Sequence, residues 1–303
     1  MDKMGARLAA IMAARRACPT RTMTLFSIIL ATLCAGIGSV WLAALLMRLG
    51  VRSSDDGIPF GAQHLLSLAA GALMATAFMH LLPEAFESDA SAKALFATLL
   101  VGLVFFFLLD KAELWHHGHE HHHAPADNGH HPAGAHSHSH SHAHPHAHGH
   151  TLQSGGWTVL AGDSVHCFGD GILIASAFMA DMRLGVIAAL SVLAHEVPHH
   201  IGDLAVLGET SGSRRIALVK VSMAGAVTLI GGIAGWWLVD QLKDFLPFFL
   251  AVASSSFIYV ALADLIPQLQ KQLGVRATAL QVAWLAAGIG LVMLVSELAH
   301  GAH

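Results

Sequence analysis

Eight apolar stretches, near 24–47, 62–82, 94–110, 157–180, 184–207, 217–239, 246–266 and 280–298, constrain this chain more than any other feature. Each approaches or reaches the ~20 residues that carry a helix across about 30 Å of hydrocarbon. Lipid offers no partner for a bare backbone N–H or C=O, so such segments satisfy their backbones internally, as helices. With 54% hydrophobic and only 12% charged residues, the chain has far more apolar surface than one soluble core would use. The expected fold is therefore an all-α integral membrane bundle of eight transmembrane helices, set in a lipid bilayer.

The expected organisation is a basic tail over 1–23, helices one to three over 24–110, a loop over 111–156, and helices four to eight over 157–303. Short cytoplasmic loops carry an excess of Lys and Arg. Arg48, Arg52, Lys111, Arg214, Arg215, Lys220, Lys271 and Arg276 fall on one side, and Lys93, Arg183 and Lys243 on the other. That bias sets both termini outside and the 111–156 loop in the cytoplasm. The tail opposes it with Lys3, Arg7, Arg15, Arg16 and Arg21, so either translation starts at Met23 or the later loops outvote the tail. Compactness and short outer loops suggest a bacterial inner membrane. The cysteines, Cys18, Cys34 and Cys167, lie in the tail or within spans and form no disulfide framework of the secreted kind.

Residues 115–150 hold sixteen of the 24 histidines among Gly, Pro, Ala and Ser, which cannot build a packed core. The segment reads as a disordered loop. Many imidazoles on a flexible chain gather Zn²⁺ and neighbouring divalent ions weakly, which makes this a buffering or sensing loop.

Ionisable residues at membrane depth are costly and as a rule face an ion or proton path. Here they gather on two successive spans. "HCFGDG" (166–171) places His166 and Asp170 four apart on one helix face, beside Cys167. "HEVPHH" (195–200) pairs His195 with His199 and Glu196 with His200, and Asp203 extends that surface by another turn. Pro198 lacks an N–H, so the carbonyl of Ala194 loses its usual partner and the helix is expected to kink or open locally. Imidazole, carboxylate and thiolate together suit Zn²⁺ and similar ions better than hard cations, which prefer all-oxygen shells. The candidate ligands outnumber the four of one tetrahedral zinc, leaving room for two adjoining ions between spans four and five.

Three readings use these residues. "HEVPH" satisfies H-E-x-x-H, the pattern of an intramembrane zinc metalloprotease, although the proline disturbs the turn that must aim both imidazoles. His166-x-x-x-Asp170 resembles the paired ligands of cation diffusion facilitator exporters, which have six spans and a soluble C-terminal domain. The stretch from about 60 to 300 as a whole resembles the ZIP metal-transporter family, most closely its LIV-1 branch. That likeness rests on eight spans, a His-rich loop after the third, "HCFGDG", "HEVPHHIGD", "HLLPEA" at 80–85 and "FIYVALADLIPQL" at 257–269.

The resemblance implies a transporter rather than an enzyme, importing Zn²⁺ or a related ion such as Fe²⁺, Mn²⁺ or Cd²⁺ into the cytoplasm. It implies an elevator in which spans one, four, five and six slide against the other four, commonly as a homodimer; no nucleic-acid partner is expected. By position, His166, Asp170, His195, Glu196 and His199 match the family's ligands, and His80 matches a histidine on the ion's path. Cys167 stands where the family usually has Asn, His200 where it has Glu, and Thr76 where it often has an acid. Losing a carboxylate and gaining a thiol both favour softer ions over Mn²⁺. The glycines of "GGIAGWW" (231–237) and "AAGAL" (69–73) are expected to let helices approach closely, in a sliding or a static bundle.

Overall fold

The computed structural model describes residues 21–50, 61–118, 155–210, 213–269 and 274–300. The N-terminal tail to residue 20 and the histidine tract beyond residue 118 lie outside the described residues.

Every apolar stretch becomes a long helix, extended at its ends by a few residues. They are α1 (Arg21–Arg48), α2 (residues 62–86), α3 (Ala92–Gly118), α4 (Gly155–Ala180), α5 (Met182–Thr210), α6 (Arg214–Gln241), α7 (residues 246–269) and α8 (Val275–His300). Seven are long and apolar enough to cross a membrane. The other is α4, whose 26 residues are diluted by Asp163, His166 and Asp170.

The helix turns widen to π geometry at Cys34–Gly38 in α1, Ala77–Leu81 in α2 and Val260–Leu265 in α7. A kink or local opening was expected at Pro198; α5 is α-helical throughout Met182–Thr210, with Pro198 inside it. A proline deletes one N–H, and a buried helix held on its neighbours can ride through that loss.

Helix contacts outline two blocks, which meet where α5 packs on α2 and α8 and α4 on α7. In one block α6 packs extensively on α4 and also on α1, while α5 packs on α1, α4 and α6. In the other, α2 packs on α8 and α7, and α3 on α7. Glycines make the tightest contacts, and all of these fall inside a block. A Cβ on Gly231 would stand 2.1 Å from the Phe168 carbonyl oxygen, and one on Gly171 2.1 Å from that of Thr228, so α4 and α6 touch backbone to backbone. Gly71 and Gly288 do the same for α2 and α8, against the carbonyls of Leu285 and Leu68, each at 2.1 Å. The two glycine runs therefore join helices within blocks rather than line the surface between them.

The blocks meet unequally along their length. Near the α4–α5 turn, Ile174, Phe178, Leu184 and Ala188 share one core with Leu73, Ala77 and Phe257 of the opposite block. Toward the other end of α5, the buried core of Val40, Ala43, Leu160, Ile201, Leu207 and Val221 comes from the first block, with Leu65 of α2 packed against it.

Candidate metal centre

Cys167 and Glu196 stand near the midpoints of α4 and α5, so their surroundings lie about halfway along the bundle. Two helices packed side by side, each with ligand-type residues four apart, turn those residues toward one another.

The result is two groups of side chains. His166, Asp170, His195 and Glu196 form the first, and Asp163, Cys167, Glu196 and His200 the second, with one ligand atom from each residue within 4.8 Å of the others in its group. In the first, His195 Nε2 lies 3.2 Å from Asp170 Oδ2 and 3.4 Å from Glu196 Oε1, and His166 Nε2 is 3.3 Å from His195 Nε2. In the second, His200 Nε2 is 3.2 Å from Glu196 Oε2, and Cys167 Sγ is 3.7 Å from Asp163 Oδ1 and 3.9 Å from Glu196 Oε2. Glu196 thus turns one carboxylate oxygen to each group.

Asp170, His195, Glu196, Cys167 and His200 are buried, whereas the His166 side chain keeps 31% of its surface and opens the first group outward. Asp163 Oδ2, Asp170 Oδ2, Glu196 Oε1 and His200 Nε2 are buried and make no hydrogen bond among the described residues, although nitrogen and oxygen atoms crowd within 4 Å. Buried polar atoms normally find a partner. Atoms that converge on common points without bonding one another are arranged as ligands of a cation are. The outward nitrogens are occupied, as His195 Nδ1 lies 3.3 Å from the Ser191 carbonyl oxygen and His200 Nδ1 3.0 Å from Ser39 Oγ. That is how metal-ligating imidazoles are commonly oriented from behind.

Compared with known proteins, residues 22–296 match the family model described as ZIP zinc transporter. The chain belongs to the ZIP family.

Among ZIP relatives, the Drosophila melanogaster protein named zinc transporter foi is 34% identical over 149 residues, covering 48% of this chain and 21% of its own. Human zinc transporter ZIP10 is 33% identical over 113 residues, covering 37% of this chain and 14% of its own. Zinc transporter ZIP13 of Pongo abelii is 24% identical over 287 residues, 88% of this chain and 77% of its own. These relatives are LIV-1 members, named as transporters and not as enzymes. The chain thus spans only about a fifth or less of the first two.

The ZIP sequence motifs put six of the nine residues named from sequence into the two groups: His166, Cys167, Asp170, His195, Glu196 and His200. His199 is in neither, although its ring lies 5.7 Å from that of His166 and 6.2 Å from that of His195. Asp203 is half-buried and also outside both. His80 sits in the π turn of α2, in the opposite block. Asp163 was missed by the sequence reading. Its signal was available: it lies four residues before Cys167 and seven before Asp170, on the same stripe of α4.

Proposed function

We propose that this ZIP protein carries divalent transition metal, zinc foremost, across a bacterial inner membrane into the cytoplasm, by sliding the α1, α4, α5, α6 block against the other four helices. The observation that carries this reading is the pair of ligand groups sharing Glu196 midway along α4 and α5. All their members ride on one block, so an ion held there would move with it. Carriers bind substrate near the bilayer midplane at the junction of two structural units. The reading also takes α4 as the eighth span.

The block contacts support the sliding step. Glycine contacts fuse each block internally and none of the close ones crosses between blocks, where Thr76 Oγ1 lies 2.6 Å from Ser191 Oγ. The one-sided core fits an inward-facing state, closed near the α4–α5 turn and looser at the cytoplasmic end. The poorly covered faces of α3 and α8, only 11% buried over their apolar windows, suit lipid and a homodimer contact. The Lys and Arg bias of the loops supports an orientation with the looser end in the cytoplasm.

As a metalloprotease, the chain would use Glu196 as a free general base beside a zinc held by His195 and His199. Glu196 instead stands between both groups, with His195 and His200 at its two oxygens. The exporter alternative has no support from the relatives, which are named zinc transporters of the ZIP type.

The test is metal uptake by proteoliposomes loaded with a fluorescent chelator, with Zn²⁺, Fe²⁺, Mn²⁺ and Cd²⁺ offered separately. Saturable Zn²⁺ uptake that disappears in Glu196→Gln supports the carrier. A folded protein that binds zinc yet never releases it to the vesicle interior overturns it.

A further inference from the structure

Behind His200 lies a device that the ligand inventory does not include. The π turn Cys34–Gly38 ends immediately before Ser39, and both Ser39 and His200 are fully buried. Ser39 Oγ donates its hydrogen to the Gly36 carbonyl oxygen one turn back. It also lies 3.0 Å from His200 Nδ1.

A hydroxyl has a single hydrogen. Since Ser39 gives that hydrogen to Gly36, its oxygen can only accept at the imidazole, and Nδ1 must carry the proton of the neutral ring. Nε2 is then left with a bare lone pair. It is the atom that lies 3.2 Å from Glu196 Oε2 and 4.0 Å from Asp163 Oδ1, buried and without a hydrogen bond among the described residues. A proton on Nε2 would point at no acceptor in bonding geometry.

The backbone keeps Ser39 in place. A Cβ on Gly36 would come within 2.0 Å of the Gly225 carbonyl oxygen, so α1 is pressed against α6 at this turn. The Gly36 carbonyl that receives the serine hydrogen is therefore fixed by packing between two helices.

We propose that Ser39 is a positioning residue that holds His200 in the Nδ1–H tautomer and so presents Nε2 as a ligand to the group of Asp163, Cys167 and Glu196. This assignment rests on the metal-carrier reading for its purpose, though not for its geometry. Ser39 touches no ion; it acts through His200. It supplies the acceptor that the Nδ1–H of His200 needs.

The deciding experiment is ¹⁵N NMR of the full chain in lipid, metal-free and labelled at histidine, under conditions where the ring is neutral. The His200 signals are identified by their loss in His200→Asn. Wild type and Ser39→Thr should show a protonated Nδ1 and a bare Nε2, and Ser39→Ala should shift population toward the Nε2–H form. An Nε2–H ring in wild type, or an unchanged tautomer in Ser39→Ala, overturns the assignment.

Zinc titration supplies a second readout. Ser39→Ala should weaken binding of one ion about tenfold, the lower end for loss of an outer-shell partner, while Ser39→Thr restores it. In the His200→Asn background Ser39→Ala should change little, and an undiminished loss there would mark Ser39 as merely structural and overturn the role. Absence of zinc uptake by wild type would overturn the carrier reading, while the nitrogen shifts alone decide the tautomer.

Discussion

The two blocks bury different kinds of polarity. In the α1, α4, α5, α6 block the buried polar residues include Asp170, His195, Glu196 and His200. In the α2, α3, α7, α8 block, among the described residues, they are hydroxyls alone: Ser67, Thr76, Ser254, Ser255, Ser256 and Ser296. Several of these are spent on their own helix, as Ser254 donates to the Leu250 carbonyl at 2.8 Å and Ser255 to that of Val252 at 2.7 Å. One block is equipped to hold a cation. The other buries no carboxylate among the described residues, and its His80, in the π turn of α2, is half-buried.

The largest effect should come from removing the residue common to both ligand groups. Glu196→Ala is expected to abolish saturable zinc uptake, a loss beyond about 100-fold, because it strips a charged ligand from two sites at once and leaves buried imidazoles unbalanced. The check is proteoliposome flux beside a zinc-binding titration; retained uptake would mean that the equipped block is not where the ion travels.

Next comes a lock between the blocks. Thr76 and Ser191 oxygens are 2.6 Å apart across the boundary, so a cysteine pair at these positions should close into a disulfide on oxidation. With Cys18 and Cys34 replaced, oxidation should cut uptake at least about tenfold and reduction should restore it, while zinc still binds. Undiminished uptake by the cross-linked protein would break the two-block picture.

A smaller change should separate packing from chemistry. Gly231→Ala pushes a methyl into the Phe168 carbonyl, whereas Gly169→Ala meets nothing within 4 Å, although Gly169 lies inside "HCFGDG". Overpacking costs about 1–3 kcal/mol, which should lower the melting temperature of the first variant by several degrees and leave the second unchanged. Thermal unfolding in detergent would show it.

The smallest effect is expected from deleting residues 116–150. Uptake at saturating zinc should stay within about twofold of wild type, with a change confined to low zinc, as weak binding by many imidazoles implies. Complete loss of uptake with normal membrane insertion would make the loop part of the translocation path.

The helices were legible because lipid imposes a length and an apolar composition that any reader of the chain can find. The i, i+4 pairs at His166/Asp170 and Glu196/His200 were legible for the same reason, since helical spacing alone puts them on one face. Composition and spacing alone did not give which helices fuse into which block; that grouping came only from the family resemblance. "GGIAGWW" and "AAGAL" look alike as sequence, and only their contacts show that each ties its helix to a partner within its own block. Asp163 was overlooked as a single acid among small residues, and it matters only because α5 brings His200 and Glu196 to it. Ser39 carried no signal at all, as its role depends on a widened turn in α1 and on a histidine 161 residues away.

Glu196 has one further consequence. Were both groups filled, its single negative charge would be divided between two neighbouring cations, which would also repel each other. By thermodynamic reciprocity, whatever filling the first group does to the second, filling the second does to the first by the same factor. The interaction is antagonistic, so a doubly loaded site has a negative cooperativity term built into it. In that case the arrival of a second ion would speed the departure of the first, and a ligand-rich centre would still release its cargo.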